Sequence, residues 1–214
     1  MEANKENSSE TAAPTLLCIP DISGFTKFMG STDFELGSKV IPSLLNKIVY
    51  SNEIGLKISE IEGDAVLFYR SGELPPFEKL IKQCRHFYKE FYVQLEELSE
   101  QNSHNGDAHK IPEILGLKII LHHGMEVGAV PVGNHIKLMG EDVIVVHRLL
   151  KNKIESDEYI LLSQTLLDLY GEENVVRKYD WGELRTGHID VEHLGEVHYS
   201  YFDLRGTHDM DDGQ

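Results

Sequence analysis

Asp21 and Asp64 are the two residues whose type and placement point most directly to chemistry. Asp21 follows the short apolar run Leu16-Leu17-Cys18-Ile19 and Pro20, so it stands where a buried strand meets a turn. Asp64 closes Glu62-Gly63-Asp64, which lies between the strand-like runs Leu56 to Ile61 and Ala65 to Tyr69. That spacing predicts a tight hairpin with Gly63 at the bend and Asp64 at the tip. In a β-α-β-β start the hairpin pairs beside the first strand, which lets the two carboxylates approach closely. At a separation of about 4 Å two such charges repel by about 4 kcal/mol at an effective dielectric near 20. The pair then needs a cation or a shared proton. A hard divalent ion held by carboxylates and completed by substrate phosphates is the usual arrangement for Mg²⁺ in phosphoryl transfer. A turn-capping Asp21 and a plain hairpin Asp64 explain the same residues without a metal.

Other residue types offer less. The chain has 11 His, and His122-His123 are adjacent, but neighbours on a strand face opposite sides and cannot chelate one ion simply. His123 is expected at a turn. Cys18 and Cys84 sit in apolar runs without CxxC spacing, which suits small buried hydrophobes better than a disulfide or a zinc site.

The elements that must position the two carboxylates follow from pattern. With 214 residues, 41% hydrophobic and 26% charged, the chain has the composition of a soluble globular domain. We expect an arm over residues 1–14, a single domain over 15–207 and a flexible tail over 208–214. Phe34 to Tyr50 carries a helical stripe that Pro42 should start or kink. The best-defined helix follows Pro75-Pro76, with Phe77, Leu80, Ile81, Cys84, Phe87, Tyr88, Phe91, Leu95 and Leu98 at three- and four-residue steps. Ile114 to Leu121 and Met125 to Val132 read as two strands turning at His123-Gly124, and a helix runs from Glu141 to Lys151-Asn152 after Gly140. A strand at Tyr159 to Leu162, a short helix to Leu169, and strands near Val175 to Tyr179, His188 to Val191 and Val197 to Phe202 complete the order. It predicts an α+β sandwich with helices on one sheet face, best fitted by a ferredoxin-like βαββαβ core with extra strands.

With 20 Lys+Arg against 36 Asp+Glu, the net charge of -16 opposes broad binding of nucleic acid or an anionic membrane. A small anionic ligand remains possible, because placed cations and a bound metal reverse the field locally. No run of about 18 apolar residues occurs and the N-terminus is polar and acidic, so we expect a cytoplasmic protein without a membrane span or signal peptide.

Four runs, in order, resemble the motifs of class III adenylyl and guanylyl cyclases. PDISGFTKF (Pro20 to Phe28) looks like the first metal-binding motif, and EIEGDAVLFYR (Glu60 to Arg70) resembles the second. LHHGMEVGAVPVG (Leu121 to Gly133) is similar to the family's His-x-Gly-x-x-x-Gly strand pair. LMGEDVIVVHRLLKN (Leu138 to Asn152) is similar to its Gly-Asp-x-Val-Asn-x-Ala-x-Arg helix. More narrowly, the chain resembles an uncharacterised bacterial cyclase-like branch whose last motif reads His-Arg-Leu-Leu-Lys-Asn.

The resemblance implies a class III nucleotidyl cyclase-like fold in which Asp21 and Asp64 hold Mg²⁺ or Mn²⁺. It implies that backbone around Ile22, Gly24, Phe25 and Thr26 cradles phosphate, with Gly24 permitting close approach. Glu60 falls at a base-reading position where a carboxylate matches guanine; a solvated strand residue is the other reading. Arg148 aligns with the catalytic arginine that reaches the triphosphate from the partner subunit, unless it is only a helix C-terminal charge. Two positions depart from the family. Its catalytic Asn falls at Ile144, which can neither donate nor accept, and its second base-reading position falls at Lys137, which could simply pair with Glu60. Asn152 replaces that Asn only if the helix shifts.

The implied function is conversion of a nucleoside triphosphate to a 3′,5′-cyclic nucleotide and pyrophosphate by a homodimer. The alternative is a catalytically degenerate module that binds a nucleotide or anion and regulates a partner. A purely structural homodimer is the third reading.

Overall fold

A computed structural model describes residues 12–133, 135–171, 175, 183–205 and 207 of the chain. The first strand, β1 (Ala13–Ser23), starts inside the segment expected as an arm and runs past Pro20. Its ladder with β4 (Gly116–Val132) continues from Thr15↔Gly124 to Ser23↔Gly116, and this pairing outweighs the break that Pro20 introduces. Asp21 therefore lies within the strand rather than at its end, paired with Ala65 on one side and Lys118 on the other.

After β1 come α1 (Phe25–Ser31) and α2 (Phe34–Tyr50). Asp33 caps α2 by accepting from the Leu36 N–H, and Pro42 sits inside the helix without ending it. The expected hairpin is β2 (Lys57–Glu62) and β3 (Ala65–Ser71), with Gly63 in the left-handed region at φ 60°. The aromatic stripe forms α3 (Phe77–Gln101), and a short α4 (Lys110–Ile114) that periodicity does not signal leads into β4.

β4 differs from expectation. His123 and Gly124 form no turn; the strand is continuous, and the reversal comes at Gly133, before β5 (His135–Met139). The glycine at 124 answers a different need. A Cβ there would lie 2.4 Å from the Cβ of Asp142, in α5 (Glu141–Leu149), so the helix can approach only a bare backbone. The remaining elements are β6 (Tyr159–Ser163), α6 (Gln164–Tyr170), β7 (Arg185–Val191) and β8 (Gly195–Asp203). Of the strand expected near Val175 to Tyr179, only Val175 is described, and it is helical and buried. Residues 1–11 and 208–214, most of the expected arm and all of the expected tail, also lie outside the described residues.

The strands form one sheet in the order β2-β3-β1-β4-β6-β8-β7, with β5 paired to β4. The first four, antiparallel throughout, have the ferredoxin-like order, and β6 adds in parallel to β4. Alternate residues of β1 divide the core. Leu16, Cys18 and Ile22 pack with α2, α3 and α6, whereas Leu17 and Ile19 pack with Val145, Val146 and Leu149 of α5. The helices therefore do not all share one face; α5 lies on the other. Asp21, in phase with Leu17 and Ile19, points to the α5 side.

Candidate functional site

The end of β1, the β2–β3 hairpin tip and the end of α5 enclose a cleft of about 260 Å³ lined by Asp21, Asp64, Glu62, His147 and Lys151 over a floor of Ile19, Ala65, Leu67 and Leu150. Strand pairing brings the two carboxylates together: Asp21 lies opposite Ala65, and the Ile22 N–H donates to the Asp64 carbonyl at 2.9 Å. Burial and then the nearby Asp21 charge push the Asp64 carboxyl above the usual range. Lys118, directly across the β1–β4 ladder, brings its Nζ to 2.8 Å from Asp21 Oδ2. The cleft thus gathers three acidic groups, Asp21, Glu62 and Asp64, with Lys118 and Lys151 as the nearby counter-charges.

This donor chemistry fits a hard divalent cation. Asp64 is unfavourably charged beside Asp21, and a second positive charge would relieve that cost. Lys118 offsets part of the negative charge on Asp21 already.

The expected phosphate cradle is narrower than the sequence implies. The Ile22 N–H is taken by Asp64 and its side chain is buried in the core. Gly24 lies in the left-handed region at φ 78°, and a Cβ there would sit 2.0 Å from the Ile114 carbonyl oxygen. Backbone geometry and α4 packing require this glycine whether or not a phosphate approaches. Gly24 precedes α1, where Phe25 is half-buried and Thr26 exposed.

At the two positions expected to read a base, Lys137 Nζ stands 3.9 Å from Glu60 Oε2, across the β2–β5 contact. On α5, Ile144 is 54% exposed and presents no polar group. Arg148 is exposed and does not line its own chain's cleft.

Residue types alone did not signal several of these neighbours. His147 and Glu62 line the cleft because the His147 side chain reaches from α5 to within 3.9 Å of Glu62 at the end of β2; Glu60 and Glu62 alternate onto one strand face, but nothing in that stretch signals the helical residue that meets them. His122 is buried and bridges the Ser163 hydroxyl at 2.8 Å and Asp142 Oδ1 at 3.0 Å. Asp142 also accepts the Met125 N–H at 3.0 Å, and its carboxyl is held low chiefly by the His122 hydrogen bond. This clamp fixes the start of α5 on the sheet.

A family model described as "Protein of unknown function (DUF2652)" matches residues 41–159. The uncharacterized protein Rv2561/Rv2562 of Mycobacterium tuberculosis is 30% identical over 165 residues, covering 73% of this chain and 69% of its own length. Among solved structures, the guanylyl cyclase Cya2 superposes with a TM-score of 0.63 at 18% identity, over 89% of this chain and 93% of that one. The adenylyl cyclase CyaB from P. aeruginosa gives 0.59 at 17%, over 91% and 96%. The guanylate cyclase domain of RhGC from Catenaria anguillulae, in complex with GTP, gives 0.58 at 17%, over 91% and 98%. The fold is that of class III adenylyl and guanylyl cyclase domains.

Proposed function

The chain belongs to the DUF2652 family, and we propose that it is a divalent-metal-dependent nucleotidyl cyclase acting as a homodimer. The observation that carries this reading is the meeting of Asp21 and Asp64 in one cleft, where burial and mutual charge oppose the ionisation of Asp64. Mg²⁺ or Mn²⁺, held there by these two carboxylates, would supply positive charge against the triphosphate.

The chemistry converts a nucleoside triphosphate to a 3′,5′-cyclic nucleotide. The ribose 3′ hydroxyl loses its proton to solvent, its oxygen bonds the α-phosphorus, and the bond to the β-phosphate oxygen breaks to release pyrophosphate. Asp21 and Asp64 would hold the divalent ion against the charged end of the substrate, and the N–H groups of Phe25 and Thr26, at the start of α1, would donate to phosphate oxygens. Arg148 of a second copy places a fixed charge on the departing pyrophosphate. An Arg148 that is exposed and outside its own cleft suits that role. Met125, Val132, Ile136, Met139 and Ile144 are exposed apolar residues of β4, β5 and α5, a surface suited to a second copy. Among the described residues no helix is long and apolar enough to cross a membrane, and we place the dimer in the cytoplasm as one domain that begins with β1 at Ala13 and runs to residue 207.

A second reading, a nucleotide-binding module without turnover that regulates a partner, is favoured by Ile144 and by the Glu60–Lys137 pair. Mass-spectrometric product analysis with Mn²⁺ and nucleoside triphosphates separates the two readings.

A further inference from the structure

Among the described residues, Glu60, Glu62 and His147 bring one donor atom each within 4.8 Å of one another. Two features of the fold make this more than a cluster of acids. First, the register shift between Ile58 and Glu60 places Glu60 opposite Leu67 and Glu62 opposite Ala65, so both carboxylates project to the α5 side. Second, the imidazole that α5 lowers onto them is held in orientation. His147 Nδ1–H donates to the Val143 carbonyl at 2.8 Å, one helical turn back, which leaves Nε2 directed at Glu62 Oε2, 3.9 Å away. A histidine whose second nitrogen donates to a backbone carbonyl is oriented as metal-bound histidines are.

We propose that Glu60, Glu62 and His147 form a transition-metal site on the wall of the cleft, separate from Asp21 and Asp64 and independent of whether the domain cyclises nucleotides. Two carboxylates and one imidazole suit Zn²⁺ or Mn²⁺ and leave coordination positions open to water or a phosphate oxygen. Donor atoms about 2.1 Å from one tetrahedral ion lie about 3.4 Å apart, so the trio must draw together by about 1.4 Å at its widest. Glu62 and His147 have the freedom to do so, with side chains 58% and 35% exposed. Lys137, 3.9 Å from Glu60 and itself largely exposed, gives way to the ion. The bound ion joins β2 to α5 and takes Glu60 out of base reading.

The test uses the full chain carrying Asp21→Asn and Asp64→Asn, which disables the carboxylate pair of the cyclase reading. After metal removal and dialysis against Zn²⁺, elemental analysis is expected to find one ion per chain. Adding His147→Gln, or Glu60→Gln with Glu62→Gln, is expected to abolish it. If His147→Gln does not melt cooperatively, the paired glutamate variant decides. Co²⁺ replaces Zn²⁺ for a spectroscopic reading, and its visible bands are expected to disappear with His147. An ion that survives these substitutions overturns the proposal, as does no bound ion at all. So does an ion that leaves with His188→Gln and His198→Gln, the imidazoles facing one another across β7 and β8.

Discussion

Lys118 and Asp21 face each other across the β1–β4 ladder, and their side chains meet at 2.8 Å. The lysine occupies one side of a carboxylate that the cyclase reading assigns to a metal, and its charge offsets part of the negative charge of the cleft. Lys118→Met removes the counter-charge and leaves a nearly buried Asp21 beside Asp64. Breaking a fully buried pair costs about 3–5 kcal/mol; with the partial exposure here we expect about 2 kcal/mol. Mn²⁺ should then raise the melting temperature of the variant more than that of the parent. Equal metal-induced shifts would count against a metal at Asp21.

Asp64 gives a pH-dependent signature. Its carboxyl is raised by burial first and by the Asp21 charge second, so the folded chain holds that proton more tightly than the unfolded chain. The resulting stability is complete below the unfolded pKa and is lost as pH rises through the folded one. At neutral pH the ionised Asp64 therefore weakens the metal-free fold. Asp64→Asn should raise the melting temperature at pH 7, with the gap from the parent closing as the pH falls into the carboxylate range. A gap that widens on acidification would reverse the sign assigned to Asp64.

Ile144 supplies a gain-of-function test. Oriented donors of this kind contribute roughly 10² to 10³ in rate. Ile144→Asn, at an exposed position of α5 where the side chain disturbs no core, should speed cyclic nucleotide formation by a factor of that order. Initial rates under saturating Mn²⁺ and triphosphate measure it; an unchanged rate would show that α5 does not present this position to substrate.

The clamp that seats α5 is tested at Gly124. Gly124→Ala places a Cβ 2.4 Å from that of Asp142, so the helix must retreat from His122 and from the Met125 N–H. Leaving buried His122 without its carboxylate partner costs about 1–3 kcal/mol, read as a lower denaturation midpoint. A neutral effect would mean that α5 adapts without losing the clamp.

Much of this architecture was legible because it is written in local pattern. The stripe from Phe77 to Leu98 and the Gly63 hairpin appear where periodicity and turn chemistry put them. Asp21 and Asp64 meet because a β-α-β-β start leaves few alternatives. His123-Gly124 misled because glycine beside a polar residue signals a turn, whereas this glycine admits Asp142, 18 residues further along the chain. Gly24 is similar: its neighbour is the Ile114 carbonyl, a contact without sequence signature. Lys118, His147 and the placement of α5 on the opposite face depend on cross-strand register and helix docking, which no single stretch of sequence encodes. The Glu60–Lys137 contact was anticipated because both positions are marked by the cyclase resemblance rather than by local pattern.

The most direct test incubates the purified chain with Mn²⁺ and each of ATP, GTP, CTP and UTP, then identifies products by mass spectrometry beside an Asp21→Ala/Asp64→Ala control. The cyclase reading predicts a cyclic nucleotide and pyrophosphate that the control does not form. A folded, dimeric parent that yields no cyclic product from any of the four would contradict it and leave the nucleotide-binding module as the account of the cleft.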